Sequence, residues 1–177
     1  MSDINCSKIN VLISSEELQE KIAELGKTLN ELYNCEEVYV VSVLRGAVMF
    51  TVDLVKHLNM PVKMEFVRLS SYGSGTVTSG KVNAVDISLP DLNDKNVLIL
   101  EDIIDTGHTA KFLTIFIKHN FHTKSLKFCS LLDKKSRREV NIDADYYCFE
   151  IDDKFVVGYG LDYDGYYRNL PYIGYIG

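Results

Sequence analysis

An α/β domain with a mainly parallel central sheet and helices on both faces follows from three features of the sequence. Apolar runs such as "VYVVSVL" and "VLIL" read as buried strands. Between them lie segments whose apolar residues recur at helical spacing. The alternation continues without repeats, low-complexity stretches or a linker, and 177 residues fit a single domain, 1–177.

Each element has its own signal. Ser14 and Glu17 have capping-box spacing, and Leu18, Ile22, Leu25, Leu29 and Leu32 follow helically, which predicts a helix over roughly 15–33. "EVYVVSVLRG" predicts a buried strand ending at Arg45-Gly46, and "AVMFTVDLVKHL" a helix that stops before Pro61. "VKMEFVRLSSYG" alternates into a glycine- and hydroxyl-rich loop, "SSYGSGTVTSGK". After the turn "LPDLNDKN" come the strand "VLILEDI", the helix "TAKFLTIFIKHN" and the strand "SLKFCSLLDK". Two short strands and an irregular aromatic tail are expected beyond Arg137.

Composition narrows the function. With 46% hydrophobic and 25% charged residues, the chain can bury a core. A net charge of −6 disfavours nucleic acid as a partner, and no apolar run approaches membrane-spanning length. Cys6, Cys35, Cys129 and Cys148 are scattered without a C-x-x-C, as expected of reduced thiols in a cytoplasmic protein rather than of a zinc site or disulfide framework.

In parallel sheets ligands bind at the carboxyl ends of strands, and the suggestive residues fall there: Arg45-Gly46, Glu101-Asp102 and Lys134. "GTVTSGKV", Gly75 to Val82, nearly matches a phosphate loop, but Val82 replaces the Mg²⁺-binding hydroxyl and no helix is expected to follow. "VLILEDIIDTGHT" is more informative. Capping the next helix requires only Asp105 or Thr106, yet three carboxylates, Glu101, Asp102 and Asp105, crowd a Gly/Thr-rich turn. Glu101 and Asp102, emerging from an aliphatic strand onto its rim, suit vicinal hydroxyls or a hard cation. The amides of Thr106, Gly107, His108 and Thr109 suit a phosphate at a helix start.

That run resembles the phosphoribosyl diphosphate (PRPP) signature of the type I phosphoribosyltransferases, in particular the hypoxanthine-guanine family. "VSVLRGAVMF", "VRLSSYGSGT", "LLDKKSRR" and "FEIDDKFVVGYGLDYDGYYRNLPYIG" extend the resemblance over nearly the whole chain. It implies the type I fold, with a small hood from the terminal segments. The implied reaction joins a 6-oxopurine to C1 of PRPP, with Mg²⁺ as cofactor and an oxocarbenium-like transition state. A homo-oligomer, dimer or tetramer, is implied as well.

Residue by residue, the resemblance assigns Glu101 and Asp102 to the ribose hydroxyls and Mg²⁺, and Asp105 to purine N7 as the catalytic residue. Thr106 to Thr109 would hold the 5-phosphate, His108 through its backbone with the imidazole toward solvent. Leu44, Arg45 and Gly46, with a cis peptide before Arg45, and Arg168 would hold pyrophosphate. Lys134, rather than its neighbour Lys135, would donate to purine O6. Phe155 would stack on the base, the Val156 backbone would read its edge, and Asp162 would ligate a second Mg²⁺. Ser71 and Tyr72 belong to a lid, about 70–80, that would exclude water. Asp152-Asp153 and Asp164-Gly165 depart from the family pattern and bear on loop rigidity near the base. A xanthine-preferring transferase and a PRPP-binding regulatory protein are the alternatives.

Overall fold

The computed structural model describes residues 9–71 and 82–176. Strands β1 (Ile9–Ile13), β2 (Val38–Leu44), β3 (Val62–Ser71), β4 (Val82–Asp86), β5 (Asn96–Ile104), β6 (Ser125–Asp133), β7 (Tyr146–Glu150), β8 (Val156–Val157) and β9 (Ile173–Ile176) alternate with helices α1 (Ser15–Tyr33), α2 (Val48–Val55) and α3 (His108–Asn120). A six-stranded sheet has the order β4-β3-β2-β5-β6-β7. Its pairs are parallel except for antiparallel β4 on β3. The terminal segments form a second sheet, β1-β9-β8, which is antiparallel.

Strand alternation divides the core in two. Val38, Val40, Leu98 and Leu100 point to the face covered by α1 and α2, whereas Val41, Val43, Val97 and Ile99 meet Ala110, Leu113 and Ile117 of α3. Both faces of β2 and β5 are therefore covered, which explains their unbroken apolar runs.

Helix α1 begins at the expected capping box: Ser14 Oγ accepts from the Glu17 N–H at 3.2 Å, and the Ser14 N–H donates to Glu17 at 2.8 Å. Helix α2 is shorter than its pattern suggests. The His57 and Leu58 amides donate to Leu54 and Val55, tightening the chain into turns before Pro61. Its buried Thr51 hydroxyl lies 2.7 Å from that of Ser42 on β2. Asp53 accepts from Gln19 at 3.0 Å and from Tyr159 at 2.6 Å, joining α1, α2 and the tail.

Two features differ from expectation, and a third bears it out. Strands β1 and β4 carry little pattern of their own and exist through their partners β9 and β3. Residues past Arg137 hold three strands rather than two, and a single 3-10 turn, Lys135–Arg137, precedes them. Residues 82–86 form a strand, so the near-phosphate loop indeed leads into no helix.

Candidate active site

The site opens where β5 parts from one neighbour before the other. Pairing of β5 with β2 ends at Ser42 and Leu100, whereas pairing with β6 continues to Ile104 and Asp133. A crevice results between the carboxyl ends of β2 and β5, the point at which strand order reverses. Glu101 and Asp102 stand at its mouth. They do not end the strand, as expected from sequence, because Ile103 and Ile104 remain paired to β6. Nor do both reach the rim: Glu101 is buried, and Asp102 alone keeps partial contact with solvent.

Crowding carboxylates here has an electrostatic consequence. Burial, reinforced by the charge of Asp102, pushes the Glu101 carboxyl well above its ordinary range against the opposing pull of Arg138. Burial likewise raises Asp102 to about 6, with its own and the Ile103 amide and Arg168 pulling down and Asp162 adding to the rise. Its Oδ1 accepts from the Ile103 N–H at 3.0 Å. Such a doublet favours whatever brings positive charge or hydroxyl donors.

The β2–α2 loop lies against Asp102. A Cβ on Gly46 would stand 1.6 Å from Asp102 Oδ2, so only glycine leaves the carboxylate in place. A Cβ on Gly160 would in turn stand 2.0 Å from the Gly46 carbonyl oxygen. The Asp102 carboxylate thus lies against the Gly46 backbone, and the Gly46 backbone against Gly160. The Leu44–Arg45 peptide is cis, as the resemblance implies, and Arg45 is exposed. Behind Gly160, Arg168 donates to the Gly160 carbonyl and pairs with Asp162 Oδ1 at 2.6 Å. Asp162 Oδ2 accepts from the Gly165 N–H at 2.7 Å, so each Asp162 oxygen already has one partner.

Residues 105–107 turn into α3, with Gly107 left-handed at φ +86°. The first amides of the helix lack intrahelical acceptors and face outward, as an anion requires. The segment after β6 backs this turn, and sequence reasoning passed over it. Arg138 donates to the Asp105 carbonyl at 2.7 Å and pairs with buried Asp133. The Glu139 N–H donates to the Thr106 carbonyl at 3.0 Å, and a Cβ on Gly107 would stand 2.7 Å from Ile142 Cγ2. His108 also differs from expectation. Its imidazole is not given over to solvent but lies 3.0 Å from Glu139, because the covering segment brings that carboxylate alongside. The available signal was the Arg137-Arg138-Glu139 run, one residue past the strand-end lysines.

A second group of residues gathers beside Asp105. Arg137 lies 3.4 Å from the Asp105 carboxylate and 3.7 Å from Asp153, and Lys134 lies 3.9 Å from Asp153. The structure separates the two adjacent lysines. Lys134 is buried at the end of β6, its N–H bonded to the Ile104 carbonyl at 2.9 Å. Lys135 is held at the surface by Glu150 at 2.7 Å. Phe155 is 53% exposed, unlike a core phenylalanine, and Val156 beside it is buried in β8. Ser71 ends β3, while Tyr72 and the rest of the expected lid through Lys81 lie outside the described residues.

Comparison with known proteins gives a consistent set of relatives. A phosphoribosyl transferase domain model matches residues 14–164. The hypoxanthine-guanine phosphoribosyltransferase of Bacillus subtilis is 46% identical over 164 residues, covering 93% of this chain and 91% of that protein. A bifunctional TilS/HprT protein of Listeria monocytogenes is 49% identical over 164 residues, 93% of this chain, which spans 25% of that longer relative. A solved Staphylococcus aureus hypoxanthine phosphoribosyltransferase superposes with a TM-score of 0.92 at 38% identity, covering 100% of this chain and 96% of that one.

Proposed function

The chain belongs to the phosphoribosyl transferase domain family, and within it to the hypoxanthine-guanine phosphoribosyltransferases, and on that premise we propose that it joins hypoxanthine or guanine to PRPP, giving IMP or GMP and pyrophosphate. The observation that carries this reading is the crevice between β2 and β5, where Asp102 lies against Gly46 and the phosphate-ready turn of α3 stands three residues beyond it. Diol-binding carboxylates, a pyrophosphate loop and a 5-phosphate cradle are there adjacent, as the parts of PRPP are.

The residues divide the work. Amides of Thr106 to Thr109 hold the 5-phosphate, and Glu101 and Asp102 accept from the ribose hydroxyls. Arg45 and Arg168 receive the charge that accumulates on departing pyrophosphate, as an oxocarbenium-like transition state requires. Phe155 stacks on the purine, the Val156 backbone reads its edge, and Lys134 donates to O6. That donation favours 6-oxo over 6-amino purines. Asp105 accepts the proton at purine N7, and Ser71 and Tyr72 exclude water from the closed site.

The donor set fits Mg²⁺ carried in by the substrate. Among the described residues no group of three or more His, Cys, Asp or Glu forms a ready cage. A buried carboxylate doublet with raised proton affinity instead suits a cation that keeps substrate phosphates and waters as its other ligands. Glu101 and Asp102 would hold it, with Asp162 facing a second ion through its remaining lone pairs. When bound, it supplies charge neutralisation to the diphosphate.

The reading includes a cytoplasmic homo-oligomer, dimer or tetramer. The oligomer is supported by exposed Met49 and Val52 on α2 and Met64 and Phe66 on β3. No helix of the described residues is long and apolar enough to cross a membrane.

The test is pyrophosphate release from PRPP and Mg²⁺ with hypoxanthine, guanine, xanthine or adenine, beside Asp105→Asn. Turnover with hypoxanthine or guanine, reduced at least about a hundredfold in the variant, is expected. Activity on xanthine alone would reassign the base, and PRPP binding without turnover would replace the enzyme by a sensor.

A further inference from the structure

The aromatic tail contains a hairpin that the division of labour above leaves without a task. Tyr163 and Tyr166 exchange backbone hydrogen bonds of 3.2 and 3.0 Å across Asp164 and Gly165. Those two residues have φ of +51° and +83°. This is a two-residue primed turn, for which Asp-Gly is a favoured pair. A Cβ on Gly165 would meet nothing within 4 Å, so glycine serves the backbone conformation there and not a shortage of room.

The hairpin touches both ends of the site. On one side Asp162 accepts from the Gly165 N–H at 2.7 Å while holding Arg168 at 2.6 Å. On the other, the Tyr163 ring meets that of Phe155 nearly at right angles, 86°, with centroids 5.5 Å apart. Phe155 is more exposed than buried, so ordinary core packing does little to fix its ring.

We propose that Tyr163 is a positioning residue for the purine: it sets the Phe155 ring in the orientation on which the base stacks. The Asp164-Gly165 turn ties that orientation to the Asp162–Arg168 pair at the pyrophosphate end. The inference rests on Phe155 being the stacking surface, as proposed above.

The experiment is steady-state kinetics on the full chain with Tyr163→Leu, Tyr163→Phe, Phe155→Leu and the double variant Phe155→Leu/Tyr163→Leu, with thermal melts alongside. Tyr163→Leu is expected to raise the KM for hypoxanthine about two- to tenfold, the size of one edge-to-face pair, with kcat and the KM for PRPP within about twofold of the parent. Tyr163→Phe keeps the ring and should keep the parental KM. In the Phe155→Leu background, removing Tyr163 should add nothing, since its only route to the base has gone. Gly165→Ala, which strains the turn without a clash, should raise the KM for hypoxanthine and, in the reverse reaction, for pyrophosphate. An unchanged KM in Tyr163→Leu, or a loss that adds fully to that of Phe155→Leu, overturns the proposal. No effect of Phe155→Leu itself would remove the stacking surface, and the inference with it, while leaving the transferase reading to its own assay.

Discussion

Asp102→Asn should make the free protein more stable while depriving it of its substrate. Burial lifts the Asp102 carboxyl from 3.8 to about 6. At about 1.4 kcal/mol per tenfold change in proton affinity, ionised Asp102 costs the free fold about 3 kcal/mol. Asp102 keeps partial solvent contact, which screens it, so about 2 kcal/mol is the expected gain on neutralisation. The amide can still accept the Ile103 N–H that Oδ1 accepts now. For a chain of this size the melting temperature should rise by about 4–8 °C. The folded-state value lies above the ordinary one, so the penalty is absent below 3.8, grows as pH rises to about 6, and is constant above. The gain should therefore be full at about pH 7.5 and only about a third as large at about pH 4.5. Calorimetric or fluorescence melts at the two pH values, with and without Mg²⁺ and PRPP, measure it. Ligand should raise the melting temperature of the parent and not that of the variant. A variant no more stable than the parent at about pH 7.5, or equally stabilised at both pH values, would refute the electrostatic account.

Three further outcomes follow from contacts at the site. Gly46→Ala forces a Cβ into the place of the Asp102 carboxylate, and kcat/KM for PRPP should fall by about a hundredfold or more while the melting temperature changes little. Lys134→Gln should weaken 6-oxopurine binding about tenfold or more by removing a charged donor, whereas Lys135→Gln, which breaks only surface contacts with Glu150 and Tyr147, should stay within about twofold in the same assay. Arg138→Met strands buried Asp133 and should cost about 3–5 kcal/mol in denaturant unfolding. Adding Asp133→Asn should recover most of that stability, but PRPP affinity by calorimetry should stay low because the Asp105 carbonyl remains unheld.

What the sequence discloses is the part of the site that is contiguous. Glu101 to Thr109 are neighbours in the chain, so their joint chemistry can be read without knowing what packs on them, and the Ser14–Glu17 cap is as local. The constraints that place this chemistry are not local. Gly46 must be glycine because of Asp102, and Gly160 because of Gly46, contacts that exist only once β2, β5 and the tail have met. Arg138 looks like any surface arginine until β6 delivers Asp133 and the turn after β5 delivers the Asp105 carbonyl. Strand β1 likewise waits for β9 at the far end of the chain.

The same division explains where the fold spends its polar contacts. A buried carboxylate doublet opposes folding, so the crevice needs a scaffold that holds it open against that cost. The Arg138–Asp133 pair clamps the side of the crevice that leads into α3, and the bonds of Asp53 to Tyr159 and Gln19 tie the tail to α1 and α2 on the other. In that role, stability and PRPP affinity need not fall together. Neutralising Asp102 should raise the first and lower the second, whereas breaking the Asp53–Tyr159 bond should lower stability first and affinity only as the tail loosens over Gly46.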